Sequence, residues 1–147
     1  MDINSYLQRI QYDGEIGNSI EILNQLQYKH LMHVPFENLD IHYGNKITLD
    51  SDLILNKILN NNRGGFCYEL NTCFYNLLNA LGFNVQILSA KVFDSDKNEF
   101  GPEYVHLTIL VNIDGTRYIT DVGFGDFALH PIKFLPDIVQ EDPNGNY

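Results

Sequence analysis

Cys67 is the residue of this chain best placed to act as a nucleophile. It follows the turn-forming run Arg63-Gly64-Gly65-Phe66 and opens a predicted helix. The first turn of a helix exposes unpaired N–H groups and a partial positive charge, and both favour a thiolate. The helix dipole supplies only about 0.3–1 kcal/mol, so a cysteine that is ionised at neutral pH needs a second cation, most often a histidine.

A buried, chemically inert side chain is the common alternative for a free cysteine. Cys73 fits that description, because it falls within the apolar face of the same predicted helix, which runs from Cys67 to Leu81 and stops at Gly82. That face comprises Leu70, Cys73, Phe74, Leu77, Leu78 and Leu81. Cys67 precedes this face, so its local setting alone leaves catalysis and packing about equally supported.

A predicted β-hairpin supplies the partner that Cys67 needs. Asp114-Gly115 is a strong signal for a two-residue turn between strands at residues 105–113 and 116–122. In the resulting register His106 and Asp121 lie on one face as diagonal neighbours, with Cα atoms about 7–8 Å apart. The opposite face is the predicted core face and carries Leu107, Ile109, Val111, Ile113, Tyr118 and Val122. A one-residue slip in register would put only one of His106 and Asp121 on the core face, so the inference depends on the turn.

Cys67, His106 and Asp121 together are a nucleophile, a general base and a carboxylate that can orient the base. Taken singly, a histidine on a strand is more often a packing residue, and an aspartate near a glycine is more often a turn former. The combination on one face, beside a cysteine at a helix start, favours a catalytic triad.

The elements that must position these residues change in type near residues 82–84. Helices are predicted at residues 5–11, 19–32, 51–59 and 67–81, and strands at 85–93, 105–113, 116–122 and 132–135. Residues 94–104 are predicted to form a loop, and 141–147 to be irregular. This order predicts an α+β protein with a helical domain at 1–84, which carries the nucleophile, and a strand domain at 85–147.

Composition excludes several classes of function. The formal charge is −10, which argues against binding nucleic acid or an anionic membrane. No apolar run approaches the ~20 residues that span a bilayer, and the N-terminus lacks a signal-peptide core, so we expect a cytoplasmic protein. His30 and His33 lack the further ligands of a metal site, so we expect no metal and interpret them as a solvated helix end.

Several motifs resemble the signature of the arylamine N-acetyltransferase family. They are Arg63-Gly64-Gly65-Phe66-Cys67-Tyr68-Glu69-Leu70-Asn71, Val34-Pro35-Phe36-Glu37-Asn38-Leu39, His106-Leu107 and Asp121-Val122-Gly123-Phe124-Gly125. Their order and spacing match across roughly residues 5 to 130. The resemblance implies a helical bundle followed by an antiparallel β-barrel, in an arrangement related to the cysteine proteases.

The resemblance also implies an activity and a set of site residues. Members transfer acetyl from acetyl-CoA to arylamines, arylhydrazines or N-hydroxyarylamines by a ping-pong route through an acetyl-cysteine. By position, Cys67, His106 and Asp121 are the catalytic triad. Phe124 and Val92, with Phe36 as a weaker candidate, line the acceptor pocket, while Arg63 and Glu37 brace the site.

Members of that family are longer than 147 residues and continue through the barrel into an α/β lid that helps to bind CoA. We therefore expect this chain to be truncated and its barrel to be incomplete. Part of the Leu107, Ile109 and Val111 face and the strand edges should be uncovered, which predicts self-association. The alternatives are a non-catalytic truncated paralogue, and a thiol hydrolase or transglutaminase-like enzyme with the same triad.

Overall fold

The computed structural model describes residues 1–147 and places the helices before the strands. The helices are α1 (Ile3–Arg9), α2 (Ile20–His33), α3 (Leu39–His42), α4 (Ser51–Leu55) and α5 (Cys67–Ala80), with a π-helical turn at Asn56–Asn60. The strands are β1 (Asn84–Ala90), β2 (Phe93–Asp94), β3 (Glu99–Phe100), β4 (His106–Ile113), β5 (Thr116–Thr120), β6 (Ile132–Lys133), β7 (Glu141–Asp142) and β8 (Gly145–Asn146). The α+β prediction is confirmed, and no helix is both long and apolar enough to cross a membrane.

Helix α5 is the central element, and it begins at Cys67 as its sequence predicts. Glu69, in its first turn, accepts a hydrogen bond from the backbone N–H of Phe66 at 3.1 Å, which satisfies a donor that the helix leaves unpaired. The predicted apolar face is buried, with only Leu81, at the helix end, partly exposed. Burial of this face fixes the direction in which the first residue of the helix points.

The hairpin of β4 and β5 has the predicted register, with Ile113 opposite Thr116 and Val111 opposite Tyr118. Asp114 and Gly115 both have positive φ angles, at 50° and 81°, as the tight turn between twisted strands requires. The ladder ends at Thr120, two residues earlier than predicted, so Asp121 follows the strand rather than lying in it.

The main sheet is open and antiparallel, with strand order β1-β4-β5-β6, and does not close into a barrel. The prediction that part of the Leu107, Ile109 and Val111 face is uncovered is wrong, since all three are buried and helix α5 packs against β1 and β4. An uncovered apolar surface lies on the opposite face of the sheet, where it forms a groove of about 750 Å³. Its lining includes Leu88, Ile119, Ile132, Phe134, Leu135 and Ile138.

One hydrophobic core joins the helices to the covered face of the sheet. Tyr6, Leu23, Leu26 and Phe74 from the helices belong to the same buried cluster as Ile109 from β4. The packing therefore continues across residue 84, and the division into two domains there stays a prediction. Self-association through the open edges of the sheet also stays a prediction.

Several elements in the structure differ from the predicted ones. The strand predicted at 85–93 ends at Ala90, and the predicted loop at 94–104 contains the short pair β2 and β3. The helix predicted at 51–59 becomes a π-helical turn after Leu55. Residues 141–147 form the hairpin of β7 and β8, because Gln140 and Tyr147 exchange backbone hydrogen bonds at 2.8 and 3.0 Å.

The interpretation of His30 as a solvated residue is wrong. His30 is fully buried, because it continues the stripe of Leu23, Leu26 and Gln27 along α2. Its Nδ1 lies 2.7 Å from the Tyr6 hydroxyl, and its ring packs edge-on against Phe74. Burial, with a smaller contribution from the charge of Arg9, lowers the pKa of His30 to about 3.

We expect His30 to make the protein sensitive to acid. An unfolded histidine takes up a proton below about pH 6.5, whereas buried His30 does not, so stability falls as the pH decreases towards 3. At pH 5 this effect lowers the free energy of unfolding by about 2 kcal/mol. Urea unfolding of the His30→Gln variant at pH 7 and pH 5 should show a smaller pH-dependent loss than the wild type. His33→Gln is the matched control, and an unchanged loss in His30→Gln contradicts the prediction.

Candidate active site

Cys67 occupies the first position of α5 and is partly exposed. Its Sγ lies 4.0 Å from the carbonyl oxygen of Val105, the residue that precedes β4. The chain after β5 crosses directly over the helix start, and a Cβ on Gly123 would stand 2.8 Å from the Cα of Cys67. Only glycine fits this approach without a shift, so the sequence permits close contact between α5 and the segment that carries Asp121.

His106 and Asp121 form a buried pair beside Cys67. Nε2 of His106 lies 2.6 Å from Oδ2 of Asp121, and their side chains are 7% and 4% exposed. Because Nε2 is engaged by the carboxylate, Nδ1 is the ring nitrogen left to interact with Cys67. The structure thus brings together the three residues that the sequence proposes as a triad.

The electrostatic setting favours an imidazolium ion. Burial disfavours the charged form, but hydrogen bonds with Asp121 and Cys67 outweigh it and raise the pKa of His106 to about 9. A raised folded-state pKa contributes stability that is fully present below about pH 6.5 and is lost as the pH rises through about 9. At neutral pH, His106 is therefore the cation that the helix start alone does not supply.

Asn71 is a positioning residue that the analysis of the sequence missed. It is fully buried on α5, one helical turn after Cys67. Its Nδ2 donates to the carbonyl oxygen of Leu107 at 2.7 Å and to Oδ1 of Asp121 at 2.9 Å, and its Oδ1 accepts from the N–H of Val122 at 3.0 Å. The sequence signal for this role was a polar residue four positions after Cys67 on the apolar face of the helix.

Gln27 makes a second connection that the sequence analysis missed. Its Oε1 accepts from the Thr120 hydroxyl at 2.5 Å, and its Nε2 donates to the carbonyl oxygen of Ala128 at 2.8 Å. Gln27 is buried on α2 and joins that helix to both ends of the segment at 121–127. The loop that carries Asp121 is therefore held from α2 as well as from α5.

Arg63 and Glu37 contact each other, as the family resemblance implies. The guanidinium group of Arg63 lies 2.8 Å from Glu37 and 2.9 Å from Asp40. The backbone N–H of Glu37 donates to the carbonyl oxygen of Gly65 at 2.9 Å. These contacts fasten the turn that precedes Cys67 to the segment after α2.

A pocket of about 260 Å³ opens beside the pair of His106 and Asp121. Val92 and Phe124 line it, and the Phe124 ring meets the His106 ring edge-on with centroids 5.1 Å apart. Phe36 is not among the lining residues; it is 51% exposed, and its backbone pairs with Gly65. The structure therefore brings two of the three proposed acceptor contacts to the site. No group of three or more His, Cys, Asp or Glu side chains is arranged to hold a metal ion.

Comparison with known proteins identifies the family. A family model described as N-acetyltransferase matches residues 19–147. The chain belongs to the arylamine N-acetyltransferase family. It is 38% identical to the arylamine N-acetyltransferase of Escherichia coli over 146 residues, which cover 99% of this chain and 52% of that protein. The chain thus spans about half the length of the curated relatives it matches.

Solved structures of this family have the same fold. The arylamine N-acetyltransferase of Salmonella typhimurium matches with a TM-score of 0.91 and 33% identity, over 98% of this chain and 53% of that one. An arylamine N-acetyltransferase from Bacillus cereus matches with a TM-score of 0.90 and 32% identity, over 100% of this chain and 58% of that one. That protein is described as having a unique Cys-His-Glu catalytic triad, whereas here the carboxylate beside His106 is Asp121.

The charge of His106 should depend on Asp121. In the Asp121→Asn variant the carboxylate is lost while burial and the contact with Cys67 remain, so the pKa of His106 should fall clearly from its value of about 9. NMR titration of the His106 ring measures this change. Asp126→Asn removes an exposed carboxylate from the same loop and should leave the titration unchanged. A His106 that still titrates near pH 9 in Asp121→Asn would contradict the assignment.

Replacement of Asn71 should destabilise the protein. Asn71→Ala leaves the buried Leu107 carbonyl and Val122 N–H without partners, at a cost of about 1–3 kcal/mol. Asn76 is the matched control on the same helix, because its Nδ2 has no hydrogen-bond partner. In urea unfolding, Asn71→Ala should lose clearly more free energy of unfolding than Asn76→Ala. Equal losses would show that the Asn71 contacts contribute little.

Proposed function

We propose that Cys67, His106 and Asp121 transfer an acetyl group from acetyl-CoA to an arylamine through an acetyl-cysteine intermediate. The observation that supports this most directly is the 2.6 Å contact between His106 and Asp121 beside a cysteine at a helix start. Membership of a family whose relatives are named arylamine N-acetyltransferases supports the choice of acetyl donor and acceptor. Arylhydrazines and N-hydroxyarylamines are further acceptors that we propose on the same basis.

The first half-reaction acylates the enzyme. At neutral pH the proton of the Cys67 thiol is held on His106, as an imidazolium that Asp121 stabilises, and the sulfur is the thiolate. The thiolate attacks the thioester carbonyl of acetyl-CoA, and the Cys67 backbone N–H at the helix start is our candidate donor to the developing oxyanion. The tetrahedral intermediate collapses with loss of the CoA thiolate, which takes its proton from His106.

The second half-reaction transfers the acetyl group to the amine. An aromatic amine is a neutral nucleophile at pH 7 and attacks the carbonyl carbon of acetyl-Cys67. His106, now neutral, accepts the amine proton as the thioester bond breaks, which regenerates the imidazolium and the Cys67 thiolate. The product amide leaves, and free Cys67 is regenerated.

The pocket beside His106 and Asp121 fits an aromatic acceptor. Phe124 stands edge-on to His106 and Val92 also lines the pocket, so a planar aromatic ring can stack beside the imidazole of His106. We assign Phe124 and Val92 to acceptor binding. Phe36, which lies outside this pocket, is given no such role.

Incubation of the purified chain with acetyl-CoA, followed by intact-mass analysis, tests the proposal. We expect a mass gain of one acetyl group on Cys67, its absence in Cys67→Ala, and an acetylation rate about 10²–10⁴-fold lower in His106→Ala. Added arylamine should remove the acetyl group and yield the amide, while release by water alone identifies a thiol hydrolase. A label still transferred to the amine by Cys67→Ala would overturn the assignment of the nucleophile.

A further inference from the structure

A largely buried ion cluster lies at the start of helix α5. Lys57 stands at its centre, with Nζ 2.8 Å from Asp40, 2.8 Å from Glu69 and 3.6 Å from Glu37. The Lys57 side chain is only 13% exposed. Burial opposes its charge, but hydrogen bonds to Asp40 and Glu69 outweigh this and raise the pKa of Lys57.

Glu69 connects this cluster to the nucleophile. One of its carboxylate oxygens accepts from the N–H of Phe66, the residue immediately before Cys67. The same carboxylate lies against Gly65, where a Cβ would approach Oε2 to 2.8 Å. Glu69 is therefore fixed between the turn and the helix, two residues along the chain from the reacting sulfur.

A carboxylate in this position disfavours the thiolate that the proposed chemistry requires. Its negative charge opposes a thiolate and offsets the partial positive charge of the helix start. Lys57 is the cation that contacts Glu69, through both carboxylate oxygens at 2.9 and 2.8 Å. Arg63 contacts Glu37 and Asp40 but does not neutralise Glu69.

The backbone places Lys57 for this role. It lies in the π-helical turn Asn56–Asn60, which closes with a hydrogen bond from the N–H of Asn61 to the carbonyl oxygen of Asn56 at 3.0 Å. The neighbouring Ile58 is fully buried in the core, which anchors the turn. Single π turns are frequent at functional sites.

We propose that Lys57 is a positioning residue for Cys67, which holds Glu69 on the N-cap amide of α5 and neutralises its charge beside the sulfur. The inference deepens the proposed function, yet it concerns the reactivity of one thiol and can be measured without acetyl-CoA. The charged groups around the sulfur are Glu69 on its own helix and His106, with Asp121 behind it, on the sheet side. Those facing Lys57 are Glu37, Asp40 and Glu69, the first two shared with Arg63.

The test is the rate of alkylation by iodoacetamide as a function of pH. The probe reports on Cys67 alone, because burial raises the pKa of Cys73 to about 12. In Lys57→Met the pH of half-maximal reaction should rise by about 0.5–1 unit, since the charge of Glu69 is no longer neutralised. Lys57→Arg, which keeps the cation, should retain the wild-type profile.

Two further variants separate electrostatics from loss of structure. Glu69→Gln can still cap the helix but lacks the charge, so its profile should shift to lower pH than the wild type. The double variant Lys57→Met with Glu69→Gln should lose the upward shift of Lys57→Met. Should Lys57→Met fail to fold, the Glu69→Gln profile decides the question.

Unchanged profiles in folded Lys57→Met or in Glu69→Gln would overturn the role of Lys57. The same result follows if the double variant keeps the full upward shift. Failure of the proposed function has a different signature, in which alkylation responds as expected but Cys67 gains no acetyl group from acetyl-CoA.

Discussion

The site depends on one buried contact, the hydrogen bond between His106 and Asp121. A charged imidazole that is 7% exposed is unfavourable in a protein interior unless an opposite charge lies against it. Asp121 provides that charge, while Asn71 and the N–H of Gly123 donate to its second oxygen at 2.9 Å each. Because both carboxylate oxygens are engaged, the direction of the imidazole is fixed, and its second nitrogen is available to Cys67.

This contact exists only because three parts of the chain approach each other closely. The strand that carries His106, the loop that carries Asp121 and the helix that begins with Cys67 meet at Asn71, which hydrogen-bonds to the strand and the loop. Gly123 allows the loop backbone to lie against the Cα of Cys67. At the same helix start, Lys57 contacts the carboxylate of Glu69, so one ion pair is on the helix that begins with Cys67 and another, His106 with Asp121, is on the sheet.

Much of this arrangement could be predicted from the sequence, because it depends on local rules. The apolar period of α5 and the Asp114-Gly115 turn gave the two elements and their register, and with them the shared face of His106 and Asp121. Predictions failed where a distant element decided the outcome. Helix α5 covers the Leu107, Ile109 and Val111 face, and the core surrounds His30, neither of which a local pattern reveals.

The sequence by itself was enough to predict the residues that we propose as nucleophile, base and orienter, because helix starts and hairpin turns are encoded within a few residues. The surrounding side chains that hold those residues in place were decided by the tertiary structure. Lys57 and Glu69 lie 12 positions apart, and Gln27 and Thr120 lie 93 apart, so neither pair leaves a periodic signal in the chain. Side-chain amides and charges of this kind are satisfied by whatever the fold brings near them, which is why only the packed structure reveals how the site is held and tuned.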